Sequence, residues 1–218
     1  STRSSQNNIY IMDLTDSTVT QMTNDTHGEY GPVYFTPNGH QIIYSTGGTS
    51  AKDIYIINIA NTVRTELTEG YHNDFNPRIS PDGLKIAYTS QQSGTNFTDI
   101  YVCDLDGSNN MNVSQSSNFS TSTSWSPNSQ KVAYTEAISG SLSNIFTVNI
   151  NGTERICLTD SIPTNFEPKW SPDGSSIAYV YLDDSDFEIY LMDADGANKT
   201  QLTDSNARKN SLVWSPAL

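Results

Sequence analysis

The sequence is poor in cysteine, in basic residues and in long hydrophobic runs. Its two cysteines, Cys103 and Cys157, cannot supply a disulfide framework, and we expect no disulfide between them. No stretch approaches the roughly eighteen consecutive apolar residues that a membrane-spanning helix needs, which predicts a protein that does not insert into membranes. Eleven Lys and Arg stand against 24 Asp and Glu, a net charge of −13, so the surface repels phosphate groups. Nucleic acid is therefore excluded as a partner.

Charged residues are also scarce, at 16% of the chain. The polar character comes instead from Asn, Ser and Thr, which favour turns and half-exposed strands over helix interiors. Aromatic residues make up 10% of the chain, including twelve Tyr, which is more than a disordered acidic chain carries. The composition therefore predicts a folded all-β protein.

A motif recurs about every 45 residues along the chain, which is typical of a repeat protein. Its clearest copy runs from Trp170 to Tyr179, and equivalent copies begin at Phe35, Ile79, Trp125 and Trp214. A second landmark, an isoleucine followed by an aromatic residue, keeps the same spacing at 9–10, 54–55, 100–101, 145–146 and 189–190. Turns such as Ser-Pro-Asp-Gly join the apolar segments, so each repeat contains four strand candidates.

The third strand of each repeat is apolar on both faces. Ile189 and Leu191 alternate with Tyr190 and Met192, a pattern that indicates burial on both sides. An antiparallel sheet is buried in this way when it is stacked between neighbouring sheets, as in the blades of a β-propeller. We therefore predict a single β-propeller domain over residues 1–218.

Five repeats are predicted, at about 27–70, 71–117, 118–162, 163–205, and 206–218 together with 1–26. The chain begins with a third and a fourth strand and ends with a first strand. We expect the two ends to share the fifth blade and so to close the ring without exposed sheet edges. A fragment of a six- or seven-bladed propeller is the alternative.

The repeat resembles that of a known family. The segments Trp-Ser-Pro-Asp-Gly (170–174), Ile-Ala-Tyr (177–179), Ile-Tyr-x-Met-Asp-x-Asp-Gly (189–196) and Gln-Leu-Thr (201–203) are similar to the propeller repeat of TolB-type proteins. The resemblance covers nearly the whole chain and implies the propeller fold. It also implies a location outside the cytoplasm, whether periplasmic, cell-surface or secreted. The same repeat occurs in the propellers of some serine peptidases, so the family alone does not specify an activity.

Candidate binding residues lie on the loops that gather at one mouth of a propeller. These are the connections between consecutive blades and the loops between the second and third strands, because loops on a rigid scaffold commonly carry function. The candidates are His27, Glu29, Tyr30, His72, Asp74, Phe75, Asn165 and Phe166. The aromatic residues among them either contact a peptide or stack on a sugar, or fill the space between two blades.

Two sets of residues are candidates for metal ligands. His27 with Glu29 and His72 with Asp74 occupy matching positions in adjacent repeats, and imidazole with carboxylate suits zinc or manganese. Asp183, Asp184 and Asp186 form an acidic run that suits calcium. Both sets are interpreted first as ordinary loop residues, so no cofactor is expected, with calcium or another divalent metal as the alternative.

No catalytic motif is present in the sequence: it contains neither Gly-x-Ser-x-Gly nor His-Glu-x-x-His. We therefore expect a monomeric, non-catalytic scaffold that binds a protein or peptide, with a glycan as a further possible ligand, at the mouth of the channel. The alternative is a metal-dependent propeller that binds or cleaves carbohydrate.

Overall fold

The computed structural model describes residues 8–24, 29–47, 51–70, 72–92, 94–159, 164–183, 186–204 and 212–215, with positions 29, 30 and 183 described by their backbone alone. Over these residues the chain forms β-strands and no helix. No helix able to cross a membrane occurs in the described part of the chain.

Eighteen strands are formed within these ranges. They are β1 (Tyr10–Met12), β2 (Val19–Gln21), β3 (Glu29–Phe35), β4 (Gln41–Gly47), β5 (Lys52–Asn58), β6 (Arg64–Glu66), β7 (Asn73–Ile79), β8 (Lys85–Gln91), β9 (Thr98–Asp104), β10 (Met111–Asn112), β11 (Ser120–Trp125), β12 (Lys131–Ser139), β13 (Leu142–Asn149), β14 (Ile156–Cys157), β15 (Thr164–Trp170), β16 (Ser176–Asp183), β17 (Asp186–Asp193) and β18 (Thr200–Gln201).

The strands pair into four complete antiparallel blades. The first blade is β3–β6, the second β7–β10, the third β11–β14 and the fourth β15–β18. One parallel pair, Lys52 with Asn73, links the third strand of the first blade to the first strand of the second blade. This arrangement confirms the predicted all-β propeller architecture.

Each first hairpin is fixed by the turn that its sequence predicts. In the second blade, Gly83 N donates to the carbonyl oxygen of Ser80 at 2.9 Å, and Ser80 Oγ donates to Asp82 Oδ1 at 2.6 Å. Gly83 has a φ of 74°, a conformation that glycine adopts without a side-chain clash. The Ser-Pro-Asp-Gly sequence therefore closes the hairpin with its own side chains.

The innermost strands of the second, third and fourth blades each contain a bulge. Asn76, Ser122 and Glu167 have φ values of 54°, 57° and 54°, and the pairing with the neighbouring strand shifts by one residue at each of them. The bulge turns the start of each strand relative to its end. The bulge thereby sets which residue of the innermost strand pairs with the second strand, for example Asp74 with Ser90 in the second blade.

The blades pack face to face through the apolar side chains of their middle strands. The four equivalent tyrosines of the second strands, Tyr44, Tyr88, Tyr134 and Tyr179, are fully buried. One hydrophobic cluster joins the first and second blades, another the second and third, and another the third and fourth. The second and third blades are thus sandwiched between neighbours on both faces, as predicted.

Two shorter pieces flank the four blades. β1 and β2 form a hairpin whose Ile9 and Met22 pack on Ile42 and Tyr44 of the first blade. At the other end of the chain, Trp214 Nε1 donates to the carbonyl oxygen of Lys169 in the fourth blade at 3.0 Å. These are the positions that the shared fifth blade requires, and closure of the ring by that blade stays a prediction.

Candidate functional site

A layer of polar residues crosses each blade at the end where its innermost strand begins. In the second blade, Asp74, Ser90 and Asp99 lie side by side on the first, second and third strands. The same register brings together Glu29, Thr46 and Asp53 in the first blade, Ser120, Glu136 and Asn144 in the third, and Asn165, Tyr181 and Glu188 in the fourth. We call these twelve residues the polar layer. It lies at the predicted channel mouth, where the loops between second and third strands also end.

A hydroxyl group two residues after the end of the outermost strand completes this layer. In the second blade, Ser114 Oγ accepts from Ile100 N at 2.9 Å and donates to Asp99 Oδ1 at 2.7 Å. In the third blade, Thr159 makes the same pair of bonds with Ile145 N (2.8 Å) and Asn144 Oδ1 (3.2 Å). Thr203 repeats the arrangement in the fourth blade. The hydroxyl thus satisfies a buried polar side chain and binds the third strand to the fourth.

The first blade departs from this arrangement. Thr68 Oγ1 accepts from Ile54 N at 3.0 Å, as expected, but its hydroxyl interacts with Asp74 of the next blade. Asp53 Oδ1 is buried and has no hydrogen-bond donor among the described residues. Burial raises the pKa of Asp53 to about 6, assisted by the negative charges of Glu66, Asp74 and Glu69.

The junction between two blades places polar-layer residues against each other. Between the third and fourth blades, Asn165 Nδ2 donates to Asn144 Oδ1 at 3.4 Å, so one amide of the junction donates to the other. Between the first and second blades the equivalent residues are Asp53 and Asp74, two carboxyl groups that repel each other. This junction therefore carries an excess of negative charge in a partly desolvated place.

Asp74 is buried, with 4% of its surface exposed. Burial raises the pKa of Asp74, and the hydroxyls of Ser90 and Thr68 and the nearby His72 counteract the rise. Its Oδ1 atom has no hydrogen-bond donor within the part of the chain that the structure describes. A buried carboxylate oxygen without a donor is costly, and such sites are commonly completed by a ligand.

A cavity of about 590 Å³ opens at this junction, between the first and second blades. Glu66, Leu67, Thr68 and Glu69 line it from the first blade and its outgoing chain. From the second blade and the residues leading into it, the lining residues are His72, Asp74, Tyr88, Ser90, Tyr101, Asp106, Gly107, Ser108 and Asn110. The rings of Tyr88 and Tyr101 are stacked, with centroids 5.7 Å apart. The cavity thus combines aromatic faces with several carboxylates.

His72 and Asp74 lie at the start of β7, and both line the cavity. His72 Nδ1 lies 3.5 Å from Ser90 Oγ, and Ser90 adjoins Asp74. Phe75 is half-buried next to them, with Lys52 Nζ 6.0 Å from the centre of its ring.

The other predicted residues lie elsewhere. Asn165 is buried at the third junction, and Phe166 packs edge-on against Phe187 with centroids 5.9 Å apart. His27 and Asp184 lie outside the described residues, and the side chains of Glu29, Tyr30 and Asp183 are not described. Asp186 is exposed.

The described residues contain no group of three or more His, Cys, Asp or Glu side chains arranged to hold a metal ion. Among the described residues, no third His, Cys, Asp or Glu side chain joins His72 and Asp74 to form such a group. Asp53, Tyr101 and Asn110 were missed by the reasoning from sequence. Superposing the repeats would have revealed them, because Asn110 stands where the first and third blades have Arg64 and Arg155.

Comparison with known proteins agrees with this architecture. The sequence profile of the TolB beta propeller domain matches residues 1–101 and 95–217. No curated protein is significantly similar in sequence. A structure assigned as TolB from Agrobacterium tumefaciens is 21% identical, with a TM-score of 0.73, and the match covers 92% of this chain and 75% of that one.

Two further structures show the same fold. TolB from Acinetobacter baumannii is 22% identical with a TM-score of 0.70, and the match covers 94% of this chain and 51% of that one. An oligogalacturonate lyase in complex with manganese is 16% identical with a TM-score of 0.76, and the match covers 90% of this chain and 58% of that one. The chain thus spans between half and three quarters of the length of these proteins.

Proposed function

Because the chain belongs to the TolB β-propeller domain family, we propose that it is a non-catalytic scaffold that binds a protein or peptide partner at the mouth of its channel. The mouth is the end at which the innermost strands begin and the polar layer lies. The family also favours a location outside the cytoplasm, where we place the protein.

The observation that carries this proposal is a pair of half-exposed phenylalanines at the mouth. Phe97 and Phe119 are 50% and 48% exposed, and their ring centroids are 6.2 Å apart in an edge-to-face arrangement. Phe97 precedes the third strand of the second blade, and Phe119 precedes the first strand of the third blade. Exposed aromatic pairs of this kind are typical anchors of protein interfaces.

The backbone beneath this pair is firmly held. Thr98 and Phe119 form a parallel bridge, and Thr98 Oγ1 donates to the carbonyl oxygen of Ser120 at 2.7 Å. The carbonyl oxygen of Phe119 accepts from Ala137 N at 2.8 Å. A rigid anchor loses little conformational entropy on binding, which favours affinity.

Site-specific crosslinking tests the proposal. p-Benzoyl-phenylalanine replaces Phe97 or Phe119 at the mouth, and as a control it replaces Leu84, an exposed residue on the hairpin that joins the first and second strands of the second blade. After irradiation in an extract of the source cells, we expect one protein to crosslink from both mouth positions and not from position 84. That protein, once purified, should bind the unmodified chain. Crosslinks spread equally over all three positions would overturn the proposal.

Elemental analysis of the purified protein distinguishes this proposal from the predicted alternative, a metal-dependent propeller that acts on carbohydrate. The proposed scaffold carries no stoichiometric transition metal. A stoichiometric metal that is lost on His72→Ala would favour the alternative instead.

A further inference from the structure

The cavity between the first and second blades lies where two other blades hold an arginine. Glu66 in the first blade and Cys157 in the third are equivalent, because each pairs with the aromatic residue of the third strand. Two residues before these positions stand Arg64 and Arg155. In the second blade that position is Asn112, and the residue two before it is Asn110. Asn110 therefore replaces an arginine of the repeat.

The third blade shows how such an arginine is bound. Arg155 Nε donates to Tyr134 Oη at 2.9 Å, and its Nη2 donates to Glu136 Oε2 at 2.5 Å. Its Cζ lies 4.3 Å from the centre of the Phe146 ring. In the first blade, Arg64 Cζ lies 3.6 Å from the centre of the equivalent Tyr55 ring. Stacking on an aromatic face together with charged hydrogen bonds suits a planar guanidinium group.

The second blade keeps the surroundings of that guanidinium but not the guanidinium itself. Tyr88 and Tyr101 are equivalent to Tyr134 and Phe146, and both line the cavity. Ser90 replaces the glutamate, and Asp74 supplies a carboxylate on the neighbouring strand, level with Ser90. The side chain of Asn110 interacts with the Tyr88 hydroxyl but is shorter than an arginine, and it lines an open cavity. The cavity therefore retains an aromatic face, a phenol and a carboxylate arranged for an arginine that this blade lacks.

The charges around the cavity favour a cation. Four acidic residues line it: Glu66, Glu69, Asp74 and Asp106. Among the described lining residues, His72 is the one with a basic side chain. Asp74 lines this space, and its Oδ1 atom is buried without a donor among the described residues. Because the described acids do not form a group able to hold a metal ion, an organic cation fits better than an inorganic one.

We propose that this cavity binds an arginine side chain of the partner, with the guanidinium stacked on Tyr101 and donating hydrogen bonds to Tyr88 Oη and Asp74 Oδ1. The assignment of the arginine to a protein partner rests on the proposed function. The recognition of a guanidinium group by the cavity does not.

A titration with small probes tests the cavity by itself. Nα-acetyl-arginine methylamide is compared with its lysine analogue and with the uncharged, isosteric citrulline analogue at constant ionic strength, using calorimetry and NMR shifts of the tyrosine rings. We expect the arginine probe to bind at least about tenfold more tightly than the citrulline probe, because a charged hydrogen bond is lost in the latter. The lysine probe should also bind more weakly, since it cannot stack.

Variants of the cavity sharpen the test. Asp74→Asn should weaken the arginine probe about tenfold, and Asn110→Arg should abolish its binding and raise the melting temperature, because the chain then fills its own cavity. Asp195→Asn, which removes one negative charge from an exposed hairpin in the fourth blade, is the matched control and should leave affinity unchanged. If Asn110→Arg does not fold, the variant Tyr101→Leu is tested instead. Because it removes the ring on which the guanidinium stacks, we expect it to bind the arginine probe at least about fivefold more weakly.

The proposal is overturned if the three probes bind equally, if Asp74→Asn binds as the unmodified chain does, or if manganese or calcium binds stoichiometrically and displaces the arginine probe. These assays contain no protein partner. Failure of the crosslinking experiment therefore leaves their result intact, and failure of the probes leaves the channel-mouth proposal standing.

Discussion

The indole Nε1–H of Trp125 donates a 2.9 Å hydrogen bond to the carbonyl oxygen of Arg78, on the innermost strand of the preceding blade. The same bond joins Trp214 to Lys169 at 3.0 Å. At the equivalent position of the fourth blade, Trp170 Nε1 is buried and has no acceptor within the described residues. The repeated tryptophan therefore joins neighbouring blades at some junctions and only fills space at another.

This difference predicts unequal effects of the same substitution. Trp125→Phe removes the donor to the Arg78 carbonyl and should lower the free energy of unfolding by about 1–2 kcal/mol. Trp170→Phe removes a donor that has no acceptor, so its cost should be smaller by about 1 kcal/mol. Urea denaturation of both variants measures the two values. Equal losses would show that packing alone determines the role of the tryptophan.

Asp53 predicts a pH dependence of stability. Its pKa is raised to about 6 in the folded protein, against 3.8 for an unperturbed group, by burial and by Glu66, Asp74 and Glu69. Between these two pH values the unfolded chain releases the proton more readily than the folded chain, so the contribution of Asp53 to stability falls as the pH rises. Asp53→Asn should therefore be more stable than the unmodified chain by about 1 kcal/mol at pH 8, allowing for solvent screening, with no difference near pH 4.

Thermal denaturation of the two proteins across pH 4–8 measures this gap, with Asp195→Asn as the control for the loss of one exposed charge. A gap that stays constant with pH, or a variant that is less stable at pH 8, would contradict the account of Asp53.

The ion pair of the third blade predicts a large effect of removing one partner. Glu136 is buried beneath Arg155, and their side chains are 5% and 35% exposed. Arg155→Met leaves the Glu136 carboxylate buried without its cation and should cost about 3 kcal/mol. Lys131→Met breaks the more exposed pair with Glu154 and should cost less than about 0.5 kcal/mol. Chemical denaturation distinguishes the two, and Glu136→Gln should recover part of the stability in the Arg155→Met background.

The docking of residues 212–215 on the fourth blade predicts a contrast between neighbouring positions. Leu212 is 7% exposed and Val213 is 85% exposed. Leu212→Ala should lower the free energy of unfolding by about 2 kcal/mol, because it removes buried apolar contacts, and Val213→Ala should have almost no effect. If Leu212→Ala is as stable as Val213→Ala, this segment does not contribute to the fold as the shared fifth blade requires.

The propeller could be predicted from the sequence because its evidence is local and repeated. Trp170 to Tyr179 and its copies specify a strand, a turn and a second strand each time, and Ile189 to Met192 reveal burial on both faces. His72 and Asp74 could be placed near each other because a single residue separates them in the chain.

The cavity could not be predicted in this way. Its character depends on acidic residues of two blades, such as Glu66 and Asp74, lining one space, and on asparagine in place of arginine at position 110. The bulge at Asn76 also decides that Asp74 lies level with Ser90. Such register and contacts between blades follow from three-dimensional packing, which the order of residues within one repeat does not express.

The most direct test of partner binding at the channel mouth is the affinity of the purified crosslinked partner for three forms of the chain. We expect Phe97→Ala combined with Phe119→Ala to weaken binding by at least about 30-fold, since anchor residues of this kind contribute about 2 kcal/mol or more. Leu84→Ala, on a hairpin away from the mouth, should bind as the unmodified chain does. An unchanged affinity for the double variant, or an equal loss with Leu84→Ala, would contradict the proposed site.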